Sequence, residues 1–91
     1  MGKDLKKSMK IVLSEHAKKQ MLERNLIESE IISTILKPDK IIPQSHGKSQ
    51  AVKSIKKNRK QYLMVVIYRK TNSSLKVITA FLTSKIKKYL K

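Results

Sequence analysis

Two apolar runs, Gln61 to Arg69 and Leu75 to Thr83, constrain the fold more than any other feature of the chain. They read as long antiparallel strands joined by Thr71-Asn72-Ser73-Ser74. In both runs each face is apolar. Leu63, Val65 and Ile67 alternate with Tyr62, Met64, Val66 and Tyr68, and Val77, Thr79 and Phe81 alternate with Ile78, Ala80 and Leu82. A sheet covered by helices on one face only would alternate apolar with polar residues. The second face therefore also needs a cover, from the C-terminal tail or from a partner chain.

Upstream, the pattern is first helical. Lys10 to Leu13 fits a short edge strand, and Ser14 is a good N-cap with Glu15 in the favourable first turn. The helix runs to about Arg24, and Asn25 is a natural left-handed stop. At 100° per residue, Ala17 and Met21 form the centre of its buried stripe, with His16, Gln20 and Glu23 on the border. A second helix from about Glu28 to Lys37 presents Ile27, Ile31, Ile32, Ile35 and Leu36 over a broad face, and Pro38 ends it.

After Asp39 the pattern becomes strand-like. Lys40 to Gln44 is a short strand, placed at an edge by Pro43, and Ser45-His46-Gly47-Lys48 is a turn. Gln50 to Lys57 is a lysine-rich strand, which Asn58-Arg59 turns into the apolar pair. Lys85 to Lys91 fits a short amphipathic helix with Ile86, Tyr89 and Leu90 on one side. Residues 1–9 are polar, lysine-rich and without period, so they read as a flexible basic arm ahead of a single domain at 10–91. A chain of 91 residues buries only about 60 to 65% of its unfolded surface, which leaves room for one modest core.

Charge narrows the function. The formal net charge is +16, and all six acids lie between Asp4 and Asp39. Residues 1–39 hold eight Lys/Arg against those six acids, a net of +2, whereas residues 40–91 hold fourteen Lys/Arg and no acid, a net of +14. Such a field attracts phosphate backbones, anionic membranes or an acidic protein. A purely solubilising surface is the competing account, but lysines serving that end are normally interspersed with acids. With no cysteine, no recognisable leader and no apolar run long enough for a bilayer, the expected setting is cytoplasmic and away from membranes.

Several kinds of chemistry lack their parts. The two histidines are thirty positions apart with no His-x-x-x-His pair, and the only glycines are Gly2 and Gly47, so neither a metal centre nor a phosphate-cradling loop is expected, and no cofactor. The acids are too few and too confined for a paired-carboxylate mechanism. Metal-free chemistry on a phosphate remains, which needs groups to move protons near a 2′-hydroxyl and cations to stabilise a crowded phosphorane. His16 could move a proton, and Arg24, Lys53 and Arg69 could hold phosphate. Each has a plainer role open to it: His16 as a border residue packed on the sheet, Thr79 as an ordinary strand residue, and Tyr62 and Tyr68 as core.

The segments Ser14-Glu15-His16-Ala17, Glu23-Arg24-Asn25-Leu26-Ile27-Glu28 and Lys37-Pro38-Asp39 resemble small uncharacterised domains whose first helix begins His-Ala and ends with an arginine. Val77-Ile78-Thr79-Ala80-Phe81, running into Lys85-Ile86-Lys87-Lys88-Tyr89, is similar to the last strand of those domains and of BrnT-type toxins. Both groups belong to the barnase, EndoU, colicin and RelE nuclease assemblage. Phe81 departs from the BrnT pattern, which has an arginine there.

The resemblance implies an α+β fold of RelE type, with two N-terminal helices packed on a four-stranded antiparallel sheet, to which the amphipathic tail at Lys85 to Lys91 adds a short C-terminal helix. It implies a metal-independent endoribonuclease, the toxin of a toxin–antitoxin pair, with an acidic antitoxin and RNA, on the ribosome or free, as partners, and a homodimer as one assembly. Carried onto this sequence, the catalytic residues are His16, Arg24 and Thr79; Lys53 and Arg69 match only the general role of strand cations, and Lys56, Lys57 and Arg59 join them as candidate nucleic-acid-binding cations of the charged half. Two other functions fit the same surface: a non-catalytic RNA- or DNA-binding module, and a basic subunit that docks onto an acidic protein.

Overall fold

The computed structural model describes residues 10–71 and 73–90. The arm expected at residues 1–9 lies outside them. In chain order the elements are β1 (Lys10–Leu13), α1 (Glu15–Glu23), α2 (Glu28–Leu36), β2 (Lys40–Pro43), β3 (Lys48–Lys57), β4 (Lys60–Lys70), β5 (Ser74–Thr83) and α3 (Ile86–Leu90). The strands form one sheet in the spatial order β1-β5-β4-β3-β2.

This corrects the expected four-stranded antiparallel sheet. The sheet has five strands and is mixed, because β1 pairs parallel with β5, Ile11 opposite Leu75 and Leu13 opposite Val77. The cause is non-local. The outer edge of β5 would otherwise stand unpaired, and Ile11-Val12-Leu13 supplies a strand that directs Ile11 and Leu13 into the core and leaves Val12 37% exposed. The two helices then carry the chain across the sheet to β2 at the opposite edge.

Each helix is set by local chemistry. The Ser14 hydroxyl accepts from the Ala17 amide at 3.0 Å, the N-cap bond that satisfies an orphan donor of α1. Asn25, with φ of 53°, reverses the chain after α1. α2 has no side-chain cap, but Glu28 and Glu30 occupy its first turn, and Thr34 returns its hydroxyl to the Glu30 carbonyl at 2.7 Å.

Both sheet faces are covered. Ala17, Leu26, Ile31 and Ile35 from the helical layer pack on Ala51, Met64, Val66, Tyr68, Leu75, Val77 and Ala80. On the opposite face Val52, Leu63 and Val65 are fully buried beneath Phe81, Ile86 and Tyr89. The cover that the second apolar face demands is therefore the tail itself, in the form of α3. Tyr89 meets Phe81 edge to face, with ring centroids 6.0 Å apart.

Alternation along the strands fixes which side chains share each face. On β3, Ala51 and Ile55 join the helix-covered core and Val52 joins the core under α3, so even-numbered residues of that strand point to the α3 side. On β5 a shift in register opposite Ile67 and Tyr68 leaves Ile78 without a partner on β4. No helix among the described residues is long and apolar enough to cross a membrane.

Candidate nucleic-acid interface

Three cations stand abreast at one end of the α3 side of the sheet. Lys48 of β3 lies opposite Arg69 of β4, and Arg69 lies opposite Lys76 of β5. Adjacent strands are about 4.8 Å apart, so the three side chains leave the sheet within about 10 Å of one another. Like charges directly opposite one another repel. Among the described residues no carboxylate pairs with any of them, whereas Lys18 pairs with Glu15 and Lys57 with Glu30. Such a row concentrates positive charge at one end of this face.

His16 and Ser14 complete the site. Together with Lys48, Arg69, Lys76 and Ile78 they line an open groove of ≈ 410 Å³. The start of α1 is held against β5 by two bonds, the Ser14 amide to the Val77 carbonyl at 3.0 Å and the Ser14 hydroxyl to the Ile78 carbonyl at 3.4 Å. These fix His16, the second residue of α1, beside the cationic row. Ile78, which lines the groove, is the residue that the irregularity in β5 leaves without a partner on β4, so the irregularity helps to form the groove.

Arg24 and Thr79 lie further along the seam between α1 and β5. β1 follows β5 only as far as Val77, and beyond it side chains of α1 take over the open edge. Gln20 Oε1 accepts from the Ala80 amide at 3.2 Å and also from the Thr79 hydroxyl, while Arg24 Nη1 donates to the Ala80 carbonyl at 3.0 Å. Gln20 and Arg24 thus do for Ala80 what a neighbouring strand would do. His16, Gln20 and Arg24 recur at intervals of four, one stripe of the helix, but His16 and Arg24 are separated by about 12 Å of helix axis. The three expected catalytic residues share a seam without converging on one atom.

The expected nucleic-acid-binding cations also divide. Lys53 and Lys57 point to the helical side, Lys53 Nζ donating to the Lys37 carbonyl at the end of α2 at 3.0 Å and Lys57 Nζ pairing with Glu30 at 3.1 Å. Both serve the fold. Lys56 faces the α3 side opposite Gln61, and Arg59 occupies the β3–β4 turn. Arg69 alone of this group reaches the groove with His16. His46 sits in the β2–β3 turn at φ of 62°, in contact with Ser45.

Reading the sequence for single residues missed Ser14, Gln20, Lys48 and Lys76 as parts of these constellations. The four-residue spacing of His16, Gln20 and Arg24 was the signal for the seam. The row carries no local signal, since it forms only when three strands come into register. Among the described residues no three His, Asp or Glu side chains gather where they could hold a metal ion.

Residues 13–82 match the family described as a domain of unknown function, DUF4258. The match covers most of the 91 residues, so the chain belongs to that family. No curated protein and no solved structure matches the chain.

Proposed function

We propose that this DUF4258 domain is an RNA-binding, metal-independent endoribonuclease of the RelE and BrnT kind. It would act as a toxin, with an acidic antitoxin to neutralise the cationic face and RNA in the cytoplasm, free or on the ribosome, as its target. One observation carries the reading: Lys48, Arg69, Lys76 and His16 line a single groove with no carboxylate among its lining residues. The row can hold a phosphodiester and stabilise the extra negative charge of a phosphorane. In the step itself the 2′-oxygen attacks the adjacent phosphorus as His16 takes its proton. The bond to the 5′-oxygen breaks, and that oxygen leaves with a proton from solvent. The products are a 2′,3′-cyclic phosphate and a 5′-hydroxyl.

A second reading rests on the bonds of Arg24 and Thr79. Both are engaged at the edge of β5, Arg24 with a main-chain carbonyl and Thr79 with Gln20, which suits a domain that binds RNA without cutting it. Incubation of the purified protein with RNA in excess EDTA separates the two. New 2′,3′-cyclic phosphate ends support the nuclease, intact RNA with retained binding supports the module, and absence of binding removes both.

A further inference from the structure

The cationic row occupies only one end of the α3 side. At the far end the same side carries Lys56, opposite Gln61, and the adjoining turn carries Asn58 and Arg59. Lys48 and Lys56 are on one unbroken strand with an even separation, so they share a face and stand about 26 Å apart, eight residues at about 3.3 Å each. Asn58 and Arg59 both have positive φ, 50° and 66°, a backbone that two-residue hairpin turns adopt most readily with glycine. An arginine stands at this apex all the same. Between the two cationic ends stands α3, seated on Val52, Leu63 and Val65 with Lys87 and Lys88 exposed.

We infer that the two ends together hold one strand of RNA, unpaired and at least eight or so nucleotides long, which bends around α3. This rests on the reading that the face binds RNA, and it adds the form and length of the ligand. A stacked strand rises about 3.4 Å per nucleotide, so about eight nucleotides cover the distance between Lys48 and Lys56. A helix with its side chains is about 10 Å thick, so α3 is a ridge of that order between the two ends. A duplex has a persistence length of about 150 base pairs and does not bend over such a ridge within one turn. A single strand does.

The test uses cleavage-resistant 2′-O-methyl RNA of uniform sequence as a single-stranded 4-mer, a single-stranded 12-mer and a 12-base-pair duplex, with affinity measured by fluorescence anisotropy across a salt series. The longer strand gains apparent affinity merely from its many registers, but that gain leaves the salt dependence unchanged. The slope is therefore the decisive reading. At about 0.7 per neutralised phosphate, three cations give the 4-mer a slope near about −2 in log K against log salt, and five give the 12-mer about −3.5. Lys56→Gln with Arg59→Gln should return the 12-mer to the slope of the 4-mer and leave 4-mer binding unchanged, with a thermal melt to confirm folding. Equal slopes for the two lengths, equal losses for both in the double variant, or a duplex that binds as tightly as the 12-mer with the same sensitivity would each overturn the extended footprint while leaving RNA binding intact. Absence of binding at every length would overturn the RNA reading as well.

Discussion

The Arg24 guanidinium donates to the carbonyl of Ala80, 56 positions away in sequence, at 3.0 Å. The bond ties the end of α1 to the stretch of β5 that β1 does not reach. Arg24→Ala should therefore act mainly on stability, costing about 1 kcal/mol. For a domain of this size that corresponds to a fall of about 4–8 °C in Tm. RNA affinity should stay within about twofold. A loss of affinity above about tenfold with Tm unmoved would instead assign Arg24 to the phosphate.

Removing charge from the row should move stability and binding in opposite directions. Lys48→Gln, Arg69→Gln and Lys76→Gln each relieve repulsion between neighbouring cations, a gain of a few tenths of a kcal/mol. Each should also reduce the magnitude of the salt slope of RNA binding by about 0.7. Lys19→Gln, exposed on α1, serves as the control and should leave the slope nearly unchanged. Urea titrations and binding isotherms on the same samples check both signs.

His16→Ala should abolish the EDTA-resistant cleavage of RNA, with Tm moved by no more than about 2–4 °C, since surface substitutions away from special features stay within about 0.5 kcal/mol. Binding should persist, because the three cations of the row remain. Undiminished release of cyclic phosphate by this variant would remove His16 from the chemistry.

The sequence made the apolar pair legible because β4 and β5 are apolar on both faces, and the unusual second face led to the expectation of a cover, which α3 provides. Ala17 and Met21 were legible on α1 because helical periodicity needs no knowledge of the rest of the chain. The pairing of β1 was not. Four residues of strand carry no sign of their direction, and the parallel register exists only through an edge supplied by the other end of the domain. The site was legible in part. Lysines 53, 56 and 57 look alike in composition, yet strand alternation sends Lys53 and Lys57 to α2 and Lys56 to the opposite side. Arg24 and Thr79 were marked as candidates by type and position, and only the three-dimensional arrangement shows their bonds to Ala80 and Gln20.

Arg59 provides the remaining prediction. An L-residue with a side chain is held in the left-handed region at a cost of roughly 1–2 kcal/mol, and glycine is not. Arg59→Gly should therefore raise stability by about 1 kcal/mol, read as an increased urea midpoint at unchanged m-value. The same change should weaken binding of a 12-mer and spare that of a 4-mer. A neutral or destabilising outcome would mean that the turn relaxes to suit the arginine.

The parallel pairing of β1 with β5 also governs the order of events in biosynthesis. Ser14 and Ile78, which meet at the end of this pairing, are 64 positions apart. At about 5–20 residues per second, the ribosome delivers the second partner roughly 3 to 13 s after the first. For that interval Ile11-Val12-Leu13 has no neighbour to pair with, and contacts of such long range are slow to form even in a finished chain. The groove beside His16 cannot exist until the same moment, because its wall is the junction of α1 with β5. The anion site is thus a late product of folding, absent from every intermediate that lacks the last strand of the domain.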